Sequence, residues 1–153
     1  MPDTIVVGVD GSSESVAALR WAADEAKLRG ARLVAVHAWL FVPPPEVGAL
    51  GMIPVPAVDL PGAVEAESDA AEAELGVALA NAFPEGVPVE VESKLVEDDA
   101  GEALVRESKQ ADLVVVGSRG RSGIAAALLG SVSKHVVDHA PCPVVVVKAS
   151  PSL

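Results

Sequence analysis

Short apolar runs alternate with segments of helical periodicity along this chain. The run over residues 4–10 predicts a buried strand that ends in an acid. Apolar residues over 16–26 then recur at helical spacing, and Ser12 or Ser13 can cap that helix. The next apolar run, over 31–38, predicts a second strand. These three elements predict a parallel, right-handed βαβ unit.

The same alternation returns in the second half of the chain. Helices are predicted over 63–82, 99–110 and 131–139, and strands over 87–94, 113–116 and 143–148. The intervening residues 40–62 contain six prolines and predict an irregular, exposed loop, because proline removes backbone donors and disfavours helix before it. That Pro-rich loop is either a tolerated insertion or a lid beside a pocket.

The order of these elements predicts the fold class. Without an internal repeat or a second core, residues 1–153 form a single domain. Five strands that alternate with four helices predict an α/β, doubly wound, Rossmann-like sheet. Ligands of such sheets bind beyond the carboxyl ends of the strands, where the strand order reverses. This rule points to the residues just after Val9 and just after Val116.

Composition and charge restrict the function. The formal net charge of −11 argues against a general nucleic-acid binder and against a protein that binds anionic membranes. No apolar run is long enough to span a membrane, and residues 1–30 lack a signal-peptide pattern, so we expect a cytoplasmic protein. Cys142 is the only cysteine, which excludes an intramolecular disulfide, and we expect it at the edge of the core.

A glycine-rich segment follows the fourth predicted strand. It reads Gly117-Ser118-Arg119-Gly120-Arg121-Ser122-Gly123 and, after an apolar stretch, Gly130-Ser131-Val132-Ser133. Glycines after a strand allow close approach of a ligand, and successive amides can form an anion-binding nest. The helix start at Gly130 and Ser131 offers free amides and a positive dipole end. These features indicate a polyphosphate site, although a turn with a serine cap would use the same residues.

Charged residues near this segment have two interpretations each. Arg119 and Arg121 can neutralise phosphates on an otherwise acidic chain, or they are solvated loop charges. Asp10 either caps the turn that follows it or has a role in binding. In binding it would accept a hydrogen bond from a ribose or base, or hold a metal indirectly. His135 and His139 form an i, i+4 pair without further ligands nearby in the sequence. We therefore assign no catalytic and no metal-ligating residue.

The glycine spacing resembles the ATP-binding signature of the universal stress protein family. The matching pattern is Gly117-x-x-Gly120, nine residues, then Gly130-Ser131. Further likeness lies in residues 5–12, 33–37, 111–117 and 139–147. The resemblance implies a five-stranded parallel sheet in the order 3-2-1-4-5 with helices on both faces. It also implies a homodimer that pairs through the last strand, over Val144–Val147.

The resemblance further implies where ATP binds, at the carboxyl ends of strands 1 and 4. Asp10, with Gly8 and Val9 at the end of the first strand, would lie by the nucleoside. Ala38 would contact adenine, mainly through its backbone. Two groups complete the site: Val116 and Gly117 near the ribose, and Arg119, Gly120, Gly130, Ser131, Val132 and Ser133 around the phosphates.

We therefore expect a homodimeric, ATP-binding protein of stress response or signalling, in which ATP with Mg²⁺ acts as a bound signal or structural ligand. No base to activate water is evident in the sequence, so at most weak hydrolysis is expected. Three alternatives stay open: a slow ATPase or nucleotidyl-transfer enzyme, a binder of AMP or cyclic AMP, and a nucleotide-free dimeric interaction module.

Overall fold

A computed structural model of the chain describes residues 3–42, 60–119 and 129–149. Within these ranges the elements are β1 (Thr4–Gly8), α1 (Ser13–Arg29), β2 (Arg32–Trp39), α2 (Leu60–Ala82), β3 (Val91–Glu97), α3 (Ala100–Ser108), β4 (Leu113–Gly117), α4 (Ser131–His139) and β5 (Val144–Val147). All paired strands are parallel, and their order is β3-β2-β1-β4-β5. The predicted α/β sheet in the order 3-2-1-4-5 is confirmed.

The sheet separates two hydrophobic cores. On one face, Leu19 of α1 and Leu75 of α2 pack with Ile5 of β1. On the other face, Leu104 of α3 and Val136 of α4 pack with neighbouring strand valines. Strand side chains alternate between the faces, so a continuous apolar run such as that of β4 supplies both cores. Each fully buried valine or leucine contributes about 1.5–3 kcal/mol.

The start of α1 is capped as the sequence predicts, and a glycine ends the helix. The Ser12 side chain accepts a hydrogen bond from the Ser15 amide at the start of the helix. At the other end Gly30 adopts φ 64°, a left-handed conformation that glycine takes without steric cost. The helix length is thus fixed on both sides, and its first turn is held beside the end of β1.

The boundaries of the third strand were predicted wrongly. It was expected over 87–94, whereas β3 pairs with β2 from Val91 to Glu97. Pro88 has no amide to donate to a ladder, and Gly86 adopts φ 102°, so the residues before 91 form a turn and its exit. The alternation of valine and glutamate over residues 89–92 predicts an extended backbone, but it does not predict the residue at which hydrogen bonding to β2 begins.

The Pro-rich loop also ends earlier than predicted. α2 begins at Leu60, so the last three residues of the expected 40–62 loop are helical. Pro61 lies in the first helical turn, where amides lack an intrahelical acceptor and proline is tolerated. Residues 43–59 of that loop lie outside the described residues.

α2 is the longest described helix, at 23 residues. Only its side facing the sheet is buried, through Ala71, Leu75, Ala78 and Ala82, and its other side carries exposed acids. None of the helices in the described ranges combines the length and the apolar character needed to cross a membrane.

Candidate functional site

A cavity of about 330 Å³ lies at the carboxyl ends of β1, β2 and β4. The strand order reverses between β1 and β4, which is where doubly wound sheets place their ligands. Of the thirteen predicted site residues, eleven line this cavity: Gly8, Val9, Asp10, Ala38, Val116, Gly117, Arg119, Gly130, Ser131, Val132 and Ser133. Gly120 and Arg121 lie outside the described residues. The volume is within the usual range of small-molecule sites.

The start of α4 presents unpaired amides to the cavity. Gly130 is the N-cap, in an extended conformation with φ −72° and ψ 169°, and has no side chain to satisfy the first turn. The amides of Ser131, Val132 and Ser133 donate to no acceptor in the described ranges. The Ser133 hydroxyl donates to the carbonyl oxygen of Ser118, at 3.0 Å, and so ties the first turn of α4 to the residue that follows β4. The site thus offers backbone donors and a positive dipole end.

Arg119 adds a positive charge to the same cavity. Its side chain is half-buried, and it makes no ion pair or hydrogen bond with any residue that the structure describes. A cation beside the positive end of a helix is unfavourable alone, but an anion between them would be stabilised by both. The arrangement therefore favours a negatively charged ligand.

Asp10 caps the turn between β1 and α1. Its Oδ1 accepts hydrogen bonds from the Ser12 amide, at 2.9 Å, and from the Ser12 hydroxyl, at 2.5 Å. Its own amide donates to the Ser15 hydroxyl at 3.3 Å, so the turn before α1 is closed on both sides. The interpretation of Asp10 as a turn cap is confirmed. Its Oδ2 has no hydrogen-bond partner among the described residues and can accept a hydrogen bond from a ligand.

The backbone of Ala38 faces the cavity beyond the end of β1. The carbonyl oxygen of Val36 accepts a hydrogen bond from the Val9 amide, at 2.9 Å, on the β1 side of β2. The carbonyl oxygen of Trp39 accepts from the Asp98 amide, on the β3 side. Alternate residues of a parallel strand bond to opposite neighbours, so the peptide groups of Ala38 point toward β1. Because the paired register of β1 has ended there, a donor and an acceptor are left facing the cavity.

Gly117 brings the two halves of the site into contact. A Cβ atom at this position would lie 2.8 Å from the Cβ of Glu14 and 2.9 Å from its carbonyl carbon. The first turn of α1 therefore packs directly on the end of β4. Only glycine fits this approach, which involves helix backbone that cannot move aside cheaply.

Five lining residues were not predicted: Ser12, Ser15, Val36, Ala100 and Leu104. Val36 shares the strand face of Ala38, so the period-two rule could have identified it. Ser12 and Ser15 belong to a capping motif that the sequence shows. Ala100 and Leu104 reach the cavity only because α3 crosses above it, which local sequence does not encode.

His135 and His139 do not line the cavity. His135 Nε2 is 3.0 Å from Glu102 Oε1, which links α4 to α3, and the rings of His135 and His139 lie 4.3 Å apart between centroids. In the described part of the chain, no three His, Cys, Asp or Glu side chains are placed to share a metal ion.

Comparisons with known proteins agree with this fold. The sequence profile described as the universal stress protein family matches residues 1–148. A universal stress protein of Mycobacterium tuberculosis is 41% identical over 150 residues, which are 95% of this chain but 45% of that relative. The chain therefore spans about half the length of such relatives.

Solved structures give the same match. The universal stress protein UspA of Lactobacillus plantarum is 25% identical, with a TM-score of 0.71 over 95% of this chain and 97% of that chain. A universal stress protein in complex with cAMP is 28% identical, with a TM-score of 0.59 over 97% and 98% of the two chains. With its sheet order, its switch-point cavity and a profile match over almost its whole length, the chain belongs to the universal stress protein family.

Proposed function

We propose that this chain binds ATP, together with Mg²⁺, in the cavity at the carboxyl ends of β1 and β4. The observation that carries the proposal is the convergence on one cavity of two kinds of group. Unpaired amides and Arg119 suit phosphates, while Asp10 and the backbone of Ala38 suit a nucleoside. In the cell, the bound nucleotide would act as a signal or structural ligand of a cytoplasmic stress-response protein.

The phosphates would lie at the start of α4. Three amides of the first turn and the guanidinium of Arg119 provide enough donors for the oxygens of more than one phosphate. On a chain with a formal net charge of −11, such local donors must offset the general repulsion of a polyanion. Bound Mg²⁺ would neutralise part of the phosphate charge. These groups favour a nucleotide with several phosphates.

The nucleoside would lie against β1 and β2. The Ala38 peptide offers one donor and one acceptor, which complement the amine and ring nitrogens of adenine. Asp10 Oδ2 would accept a hydrogen bond from a ribose hydroxyl. Neither contact depends on the small side chain of Ala38. Of the described residues at the α4 end of the cavity, none carries a carboxylate or an imidazole that could activate water, so we propose binding without efficient hydrolysis.

Cyclic AMP is the second candidate, since a 28% identical relative was solved with that ligand. ATP and cyclic AMP would differ in how many amides of the first turn of α4 they occupy. The single, cyclised phosphate of cyclic AMP needs fewer of these amides than the phosphates of ATP. AMP has one phosphate as well and is included in the same comparison.

The direct experiment is to denature freshly purified protein and identify the released nucleotide by mass. Calorimetric titrations with MgATP, AMP and cyclic AMP then rank the affinities, with ATP plus EDTA as the control for the metal. We expect MgATP to bind most tightly. Tighter binding of cyclic AMP than of MgATP would make cyclic AMP the proposed ligand. A protein that is purified without nucleotide and shows no thermal shift with millimolar MgATP would refute nucleotide binding. Release of ADP from bound MgATP over time would instead favour a slow ATPase.

We also propose a homodimer that pairs through β5. β5 is an edge strand, and its four valines are all only half-buried in the isolated chain. An apolar edge strand is prone to pair with another strand, and a second copy would cover it. Sedimentation or light scattering of the purified protein measures the mass that decides this.

A further inference from the structure

We infer that His37 is a positioning residue for the nucleoside half of the cavity, although its side chain does not line it. The inference rests on the proposed function, since it concerns how the adenine-binding backbone is kept available. Its ring bonds to the backbone of β1 at the point where β1 and β2 stop pairing. The consequence is a peptide group of β2 that faces the cavity and has no hydrogen-bond partner among the residues that the structure describes.

The ladder between the two strands ends in an unusual way. The last backbone bond runs from the Val9 amide to the Val36 carbonyl oxygen, at 2.9 Å. The next bond of a parallel ladder would run from the Ala38 amide to the Val9 carbonyl oxygen. In the described residues this bond is not formed, and His37 Nδ1 lies 2.7 Å from the Val9 oxygen instead. The imidazole thus satisfies the carbonyl that would otherwise pair with Ala38.

The chemistry of the partner fixes the role of the ring. A carbonyl oxygen only accepts, so Nδ1 carries a proton and donates it to Val9. The ring lies on the α1 and α2 face of the sheet, because Ala35 belongs to that core and Val36 to the opposite one. There Nε2 lies 3.3 Å from Glu74 Oε2 of α2. Only 7% of the His37 side chain is exposed, so packing and both contacts hold the ring in one orientation.

The position of His37 connects both nucleoside contacts. It directly precedes Ala38, whose peptide groups face the cavity, and it bonds to Val9, which directly precedes Asp10. Without a donor at Nδ1, the Val9 oxygen would be left unsatisfied, and the Ala38 amide is the nearest group in the ladder order that could replace it. Closing the ladder by one step would remove the donor proposed for adenine.

Two substitutions of His37 distinguish the contribution of Nδ1 from that of Nε2. His37→Asn keeps an amide donor near the position of Nδ1, and His37→Gln keeps one near the position of Nε2. We expect His37→Asn to bind MgATP within about threefold of the wild type. His37→Gln should bind about five- to tenfold more weakly, the loss typical of one neutral hydrogen bond. Urea unfolding and circular dichroism of both variants establish that they are folded at the temperature of the titration.

Inorganic tripolyphosphate, used as a second probe, distinguishes positioning from general destabilisation. It lacks the nucleoside, so both variants should bind it as the wild type does. Equal ATP affinities of the two variants would overturn the inference, as would parallel weakening of ATP and tripolyphosphate in His37→Gln. Wild-type protein that fails to bind MgATP would instead refute the proposed function, and the inference with it.

Discussion

Replacing Ser131 by proline tests whether the start of α4 receives phosphate. Ser131 is the first residue of the helix, the position where proline is most readily accepted because its missing amide has no intrahelical partner. The preceding Gly130 has ψ 169°, which lies in the extended region that a residue before proline requires. Ser131→Pro therefore deletes one cavity-facing amide while the helix start keeps its geometry.

The size of the effect follows from the kind of bond that is lost. A hydrogen bond to a charged group contributes about 1.5–3 kcal/mol, which corresponds to a roughly 10- to 150-fold change in Kd. Ser131 is exposed at the rim of the cavity, so we expect the lower part of this range, about tenfold. The serine hydroxyl is removed as well, and Ser131→Ala is the control that removes the hydroxyl but keeps the amide.

Calorimetric titration with MgATP measures the difference between the two variants. Ser131→Pro should bind about tenfold more weakly than Ser131→Ala, and their free energies of unfolding should differ by less than about 1 kcal/mol. Equal Kd values for two equally stable variants would refute the placement of phosphate at this helix end. Inorganic tripolyphosphate should show the same difference, since the lost amide contacts no part of the nucleoside.

Three further predictions concern packing, reactivity and assembly. In a urea titration, Gly117→Ala should lower the free energy of unfolding by about 1–3 kcal/mol, because the added methyl group meets the backbone of α1. Gly76→Ala is the control: Gly76 lies on α2 with open space around it, so this variant should raise the free energy of unfolding by up to about 1 kcal/mol. Burial raises the pKa of the Cys142 thiol, so its alkylation at pH 8 should be slower than that of glutathione and should accelerate as the pH rises further; a rate equal to that of glutathione would contradict this. Val145→Lys on β5 should yield monomers in light scattering if β5 pairs two chains, whereas Val137→Lys, at an exposed position of α4, should leave the mass unchanged. A folded Val145→Lys variant that keeps the wild-type mass would exclude the β5 interface.

Sequence patterns predicted the fold because each long element carries its own signal. The central strands are unbroken apolar runs, and the caps of α1 are residues whose side chains or conformations act locally. The start of β3 was missed since Val87 and Val89 continue the pattern of Val91, although Pro88 between them has no amide to donate to a ladder. Extended chain is a local property, but the first ladder bond depends on a neighbouring strand.

The cavity was predicted as far as strand ends and helix starts define it. Asp10 and Gly117 each follow or end a buried strand, and the topology of a doubly wound sheet places them together. The contribution of α3 was not predicted, because Ala100 and Leu104 look like ordinary positions of an amphipathic helix. The free peptide of Ala38 depends on where two strands cease to pair, which appears only in three dimensions.

The contact of Gly117 with α1 acts as a fixed spacer between the two halves of the sheet. Since the first turn of α1 already rests on the end of β4, these elements cannot move closer together, and the cavity cannot narrow there. In the proposed ATP site, a ligand with more or fewer phosphates would be accommodated at the α4 end, where Ser131 is exposed, while the contact at Gly117 sets the smallest width of the nucleoside end. Under the proposed function, selectivity for the base and selectivity for the number of phosphates would then depend on separate residues of one site.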